Sequence, residues 1–203
     1  MVDAEFSTDI FARMARSLHY WQVRGWAHVS LPWLAPERYT ACTRPLDAPD
    51  DPTTTHGNLL ASGEQSFLML EDQGRLPDGD RFIGWTPCFR HEPVFDSTHH
   101  FYFLKAELYQ RTTEELMTAH LNEMVEHARV WMDLEAALTG QSGRAAIVQT
   151  GFLQFDIEVA GMEVGSYGVR AANGRLYVYG TACAEPRLST ALALQRVQFS
   201  EES

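Results

Sequence analysis

Arg90, Glu92, His99, Phe103 and Glu107 lie in one short stretch, CFRHEPVFDSTHHFYFLKAELY, and Arg187 follows far downstream in ACAEPRL. These residue types suffice for a nucleoside triphosphate site that needs no glycine-rich loop. A guanidinium meets phosphate oxygens through two parallel hydrogen bonds, a geometry an ammonium lacks. An aromatic ring offers adenine a face to stack on. A carboxylate accepts from an exocyclic amine or takes a magnesium ion. The same stretch also fits an amphipathic β-hairpin whose charges face water, and taken alone it leaves the two readings level.

The elements that would position these residues follow from pattern. Ser7, Thr8 or Asp9 can cap a first helix whose Ile10, Phe11, Met14, Ala15, Leu18 and Trp21 share a face, and Arg24-Gly25 ends it. A strand from Trp26 to Leu34 follows, with Pro32 inside it; proline removes a ladder donor, so this strand is expected at an edge or an interface. Residues 44–57, rich in Pro, Asp and Thr, read as an exposed loop. Two strands are expected around LPDGD and another pair around PVFDS, the second pair carrying the opening stretch. The longest helix is expected from about Thr113 to Leu138, with Thr112 and Glu115 as a capping box and Gly140 past its end. Phe152–Val159, Met162–Arg170 and Leu176–Tyr179 read as consecutive strands, with Asn173-Gly174 as a two-residue hairpin turn. Pro186 opens a last helix that runs toward Val197. No repeat or second-domain boundary interrupts the pattern, which makes residues 1–203 a single α+β domain, an antiparallel β-sheet flanked by helices.

Composition excludes several classes. A chain of 203 residues that is 45% hydrophobic, with five tryptophans, can bury a core and is not disordered. A net charge of −11 and a single lysine, Lys105, argue against a free-standing tRNA or DNA binder, because phosphate contacts need clustered cations. Cys42, Cys88 and Cys183 are far apart and lack CxxC spacing, so reduced thiols are expected rather than a disulfide frame or a zinc site. The histidines lack zinc spacing too. With no signal peptide and no apolar run of membrane-span length, a soluble, cytoplasmic protein without a membrane partner is expected.

In the order of these segments the chain resembles the catalytic core of class II aminoacyl-tRNA synthetases over most of its length. RGWAHVSLPWL is similar to the first family motif, a helix and then a strand ending in a proline, here Pro32, at the family's dimer interface. GEQSFLMLEDQGRLPDGDRFIGWTPCFRHEP resembles the approach to the second motif, which FRHE and THHFYFLKAE match at Arg90, Glu92, His99, Phe103 and Glu107. ACAEPRL resembles the third motif, with Arg187 in its arginine position and Ala182 and Ala184 where glycines are usual. EVGSYGVR, from Glu163 to Arg170, is similar to the E-x-x-S-x-G-x-R segment of aspartyl- and asparaginyl-type synthetases and of ammonia-dependent asparagine synthetase. No segment resembles an anticodon-binding domain.

The resemblance implies AMP-forming activation of an amino acid, with ATP and Mg2+ as cofactors. Arg90 and Arg187 would be catalytic, Arg90 bridging the carboxylate and the α-phosphate, Arg187 clamping the purine and reaching the γ-phosphate. ATP would be held by Arg90, Glu92, His99, Phe103 and Arg187, with adenine on Phe103, its amine on Glu92 and the terminal phosphate near His99. Glu163 and Ser166 would hold magnesium, helped by Asp156 or Glu158. Substrate binding would fall to Glu64, Glu107, Ser166 and Arg170, with Glu64 facing an ammonium and Arg170 an acidic side chain such as aspartate's. Blander roles stand beside each of these. Arg90 can pair with Glu92 or Glu107, Phe103 can pack with Phe101, and Arg170 can balance Glu158 or Glu163 across strands. His100 is expected on the strand face opposite His99, with a structural role, as are His91 and His56. The acyl acceptor is expected to be ammonia, an amine or a carrier, and tRNA binding is not expected without a partner. A homodimer through the Pro32 strand is expected. The alternative is a catalytically silent, dimeric regulator, toward which Ala182 and Ala184 point because added methyl groups would crowd a purine.

Overall fold

Side chains alternate along residues 102–111 and divide the molecule in two. Leu104, Ala106 and Leu108 enter one hydrophobic core, and Tyr109 enters a second on the other face of the sheet. The computed structural model describes residues 6–44, 49–91, 100–140 and 144–201, with side chains as far as Gln195. Along the chain come α1 (Thr8–Gln22), β1 (Ala27–His28), β2 (Leu34–Ala35), α2 (Glu37–Thr40), β3 (Thr53–Thr54), β4 (Gly57–Leu59) and α3 (Gly63–Asp72). Then follow β5 (Arg81–Phe89), β6 (Tyr102–Arg111), α4 (Met117–Leu138), β7 (Ala146–Gly151), β8 (Gln154–Val159), β9 (Met162–Ala172), β10 (Arg175–Glu185) and α5 (Arg187–Glu201).

A seven-stranded sheet runs in the order β1-β5-β6-β10-β9-β8-β7, and a three-stranded one in the order β2-β4-β3. In the large sheet β1 pairs with β5 in parallel, and the remaining described pairings are antiparallel. Helices α1, α4 and α5 cover one face, where Trp21, Met124, Trp131 and Leu188 join the first core. Helices α3 and α2 bring Phe67 and Tyr39 to the second core beneath the small sheet. The α+β class is therefore as expected. No described helix is long and apolar enough to cross a membrane.

Local chemistry accounts for the boundaries, including several that pattern misplaces. Ser7 caps α1 as expected, accepting from the Ile10 N–H at 3.4 Å. Asn173 and Gly174 adopt φ of 52° and 73°, the left-handed pair that a tight hairpin between β9 and β10 requires. The strand expected over Trp26–Leu34 splits instead into β1 and β2, which join different sheets, with Pro32 between them. Helix α3, not a strand, precedes LPDGD, because its apolar run is buried on nearly every side and so carries no amphipathic period. The capping box at Thr112 is absent: the Thr112 hydroxyl lies 3.0 Å from His120 Nδ1, and α4 starts at Met117 without a side-chain cap. Residues 44–57 include β3, and the edge strand β7 has no counterpart among the expected elements. The PVFDS turn lies outside the described residues; β5 and β6 on either side of it pair as a hairpin.

Candidate active site

A cleft of about 460 Å³ opens on the α3 face of the large sheet. It is lined from β6 by Phe103, Lys105 and Glu107, from β9 by Glu163, Ser166 and Arg170, and from β10 by Tyr179, Thr181 and Ala184. Arg90 at the end of β5, Ser62 and Glu64 at the start of α3, and Arg187 at the start of α5 complete it. Period-two alternation explains the β6 set, which shares a face while its neighbours point into the first core.

The same rule would put Glu163 and Ser166 on opposite faces, since they are three positions apart. A β-bulge resolves this. Asp156 pairs with Ser166 and Ile157 with Gly165, but Glu158 pairs with Glu163, so Val164 is an extra residue on β9. The bulge reverses the alternation: Val164 enters the core and Glu163 joins Ser166 and Arg170 in the cleft. On β10 a second bulge between Thr181 and Cys183 buries Ala182 and Cys183 and brings Thr181 and Ala184, again three apart, to the cleft. The backbone ladder between β9 and β10 ends at Gly180 and Tyr167, and beyond it the Thr181 hydroxyl bonds the Ser166 N–H and carbonyl at 3.3 and 3.4 Å.

Glycines permit two close approaches. Gly168 pairs with Tyr179, and a Cβ there would meet the phenol ring at 2.7–2.9 Å. The ring therefore lies against the strand, and the Arg170 guanidinium stacks on it at 4.2 Å. At Gly63 a Cβ would lie 2.8 Å from Glu107 Oε2, an oxygen that accepts from the Gly63 N–H itself. Glu107 thus sits on the amino terminus of α3, where helix dipole and free N–H groups favour an anion.

Two buried carboxylates have opposite tendencies. Burial works against the charge of Glu107, but the Lys105 ammonium at 2.7 Å, the Ser62 hydroxyl at 2.7 Å and the Gly63 N–H outweigh it and hold the carboxyl below the usual glutamate range. For Glu64 burial prevails and raises the pKa, although Arg170 and the Tyr177 hydroxyl at 2.7 Å both favour the anion. Arg170 therefore pairs with Glu64 on α3, not with Glu158 or Glu163.

Arg90 lies one residue past β5, not inside it, and donates to the Ala61 carbonyl at 3.2 and 3.3 Å. Its guanidinium stands 5.0 Å over the half-buried Phe103 ring, which faces the cleft rather than a core. Arg187 pairs with Glu163 at 3.5 Å across the far wall. His100 precedes β6, so strand alternation does not govern it; contrary to expectation it lines the cleft, as does His91. Glu92 and His99 lie outside the described residues. Lys105, Tyr177, Tyr179 and Thr181 went unassigned in the sequence; only the alternation from Phe103 to Glu107 could have pointed to Lys105.

For magnesium the site offers a carboxylate, Glu163, and a hydroxyl, Ser166. No cluster of three or more His, Cys, Asp or Glu suited to a metal ion occurs among the described residues. Asp156 is close enough to hydrogen-bond Ser166, and its pKa is raised by burial, against that bond, and by the nearby Glu163. One carboxylate and one hydroxyl suit an ion whose remaining ligands are phosphate and water.

No family model and no curated protein sequence matches the chain. Solved structures do. Seryl-tRNA synthetase from Pyrococcus horikoshii, complexed with ATP, superposes with a TM-score of 0.67 at 16% identity, over 89% of this chain and 49% of that one. Cytoplasmic serine-tRNA ligase from Naegleria fowleri, in complex with AMP, gives 0.64 at 16% identity, over 90% of this chain and 52% of that one. PylSc, a pyrrolysyl-tRNA synthetase from Desulfitobacterium hafniense, gives 0.61 at 18% identity, over 90% and 67%. The fold is that of a class II aminoacyl-tRNA synthetase catalytic core, and the chain spans about half the length of the seryl enzymes it matches.

Proposed function

We propose that the chain is an AMP-forming amino-acid ligase. The substrate carboxylate attacks the α-phosphate of ATP, pyrophosphate leaves, and the aminoacyl group of the adenylate passes to a non-tRNA acceptor: ammonia, an amine or a carrier. One observation carries the reading. Two bulges and one alternating strand bring Arg90, Phe103, Glu107, Glu163, Ser166, Arg170 and Arg187, widely spaced in sequence, into a single cleft of ligand size.

No protein nucleophile is needed, so rate comes from positioning and from neutralising charge at phosphorus. Phe103 presents a face for adenine, Arg90 bridges the two reacting groups, and Arg187 steadies the purine and the γ-phosphate. Glu92 and His99 would add contacts to the adenine amine and the terminal phosphate. Magnesium, bound through Glu163 and Ser166, would neutralise phosphate charge. Glu64, Glu107 and Arg170 form the amino-acid end, and the Glu163–Arg170 segment is what favours an aspartyl- or asparaginyl-type site. An acidic substrate would draw Arg170 from Glu64, opening one ion pair to form another. The half-exposed Trp33 beside Pro32 supports a homodimer through that segment, which light scattering would test. The charge of −11 supports no DNA binding and no tRNA binding without a partner, and the free Cys42, Cys88 and Cys183 support a cytoplasmic setting.

The rival reading, a silent regulator, draws on Ala182 and Ala184. Ala182 is fully buried in the core, so only the Ala184 methyl reaches the cleft. The deciding measurement is exchange of labelled pyrophosphate into ATP, run across the amino acids. Exchange with one of them supports the ligase and names its substrate. No exchange with any, together with no ATP binding by calorimetry, ends that reading.

A further inference from the structure

We infer that Lys105 is a positioning residue for the substrate's ammonium group: it fixes Glu107 as an anion in the cleft wall, so that the site selects carboxylic acids bearing an α-ammonium over their N-acylated and α-hydroxy analogues. The inference rests on the cleft being an amino-acid-activating site.

Lys105 is the only lysine of the chain. It stands on the cleft face of β6 midway between Phe103 and Glu107, about 7 Å along the strand from each. Its register partners are Thr86 on β5 and Ala184 on β10. Its ammonium lies 2.7 Å from Glu107 Oε1, which also accepts from the Ser62 hydroxyl at 2.7 Å, while Oε2 accepts from the Gly63 N–H. A carboxylate has about four acceptor positions, so three fixed donors orient it and leave room for one more. A substrate ammonium supplies that donor; an acetamido group or a hydroxyl brings no charge.

The three fixed donors are not equivalent. A hydroxyl donates or accepts, and a backbone N–H also tolerates the carbonyl oxygen of a neutral acid. Only the ammonium demands the anion. The remaining groups that act on Glu107 do not replace it. From β5, the Cys88 thiol is pushed up to about 12 by burial and stays neutral. From α3, Glu64 repels Glu107 and is itself paired with Arg170. Arg90 has its guanidinium on the Ala61 carbonyl. Without Lys105, Glu64 and Glu107 would repel each other in a buried wall, and burial would favour the protonated forms.

The test uses the full chain as wild type, Lys105→Met, Lys105→Arg, Glu107→Gln and the Met/Gln double variant, with thermal melts to certify folding. In carbon-13 NMR of the ligand-free protein, Lys105→Met should raise the Glu107 titration midpoint by about one pH unit or more, and Lys105→Arg should largely restore it. In pyrophosphate exchange, Lys105→Met should raise KM for the amino acid about tenfold or more, more strongly at acid than at neutral pH, with KM for ATP nearly unchanged. On the Glu107→Gln background, removing Lys105 should add little further loss. An unmoved Glu107 midpoint, a loss confined to kcat or to KM for ATP, or additive losses in the double variant would each overturn the inference. Absence of exchange in the wild type would instead strike the proposed function, leaving the NMR arm to judge the Lys105–Glu107 coupling.

Discussion

Two sets of cations paired with fully or nearly buried glutamates, one between the helices and one in the cleft, differ in how firmly the central cation is enclosed. Between α1, α4 and α5, Arg13 donates to Glu135 at 3.1 Å, to Ser189 at 2.7 Å and to Glu185, while Arg16 donates to Glu135 at 2.6 and 2.8 Å. Both glutamate side chains there are 0% exposed. The Ser189 N–H returns a bond to Glu185 at 3.1 Å. In the cleft, Glu64 and Glu107 are nearly as buried, but Arg170 keeps 36% of its side chain exposed and Lys105 keeps 16%. The first set buries Arg13, whose side chain is 9% exposed, holds Arg16 at its rim with 44% exposed, and ties four elements together. The second leaves each cation with one face on a cavity, where a charged ligand can compete. The first also supports the second, since Glu185 lies two residues before Arg187 and anchors the start of α5.

Removing the shared anion of the helix set should have the largest effect on folding. Glu135→Ala leaves two arginines without their shared anion and should lower stability by about 3–5 kcal/mol, read by urea denaturation. Arg90→Ala breaks the cleft instead: exchange should fall about 100- to 1000-fold while the melting temperature stays within a few degrees. If Arg90→Ala unfolded the chain while Glu135→Ala did not, the contrast between the two sets would be reversed.

The cleft carboxylates give a subtler test, because their pKa values move in opposite directions. The folded-state pKa of Glu64 is raised, so its contribution to stability is present at low pH and is lost as pH rises through that value. That of Glu107 is lowered, so its contribution is present above the ordinary glutamate range and is lost as pH falls through the folded value. Relative to wild type, Glu64→Gln should therefore gain stability as pH rises from about 4 toward neutral, whereas Glu107→Gln should lose it as pH rises toward about 4 from below. Equal slopes would show that the two sites do not differ in charge environment. The smallest effect concerns thiols: a mild alkylating agent should label the exposed Cys42 in the native protein and spare Cys88 and Cys183, whose thiols burial pushes up. Labelling of all three without unfolding would contradict the tight packing beneath the cleft.

The sequence disclosed most where local rules act alone. The Ser7 cap and the Asn173-Gly174 turn each depend on a few neighbouring residues, and each appears in the structure as expected. Boundaries set by distant contacts did not show. Thr112 turns to His120 rather than capping a helix, and the segment around Pro32 is divided by two sheets competing for it. In the cleft, residue types were legible but pairings were not. Nothing near Arg170 in sequence signals Glu64, which lies on a helix 106 residues away. Nor does spacing reveal Ala182 as a core residue, since the bulge that buries it arises from how β10 meets β6.

The extra residue at Val164 has a consequence for how this segment can change over time. A strand keeps its faces apart by parity, and a bulge takes up one inserted residue so that the faces beyond it are preserved. Deleting Val164 would therefore close the bulge without exchanging the faces. Glu163 would then lie two residues from Ser166, stay opposite Glu158 and keep its carboxylate in the cleft, while the core would lose the Val164 side chain. A drifting lineage can thus lengthen or trim this strand by a single residue wherever a bulge can form or close, and the cleft survives the step.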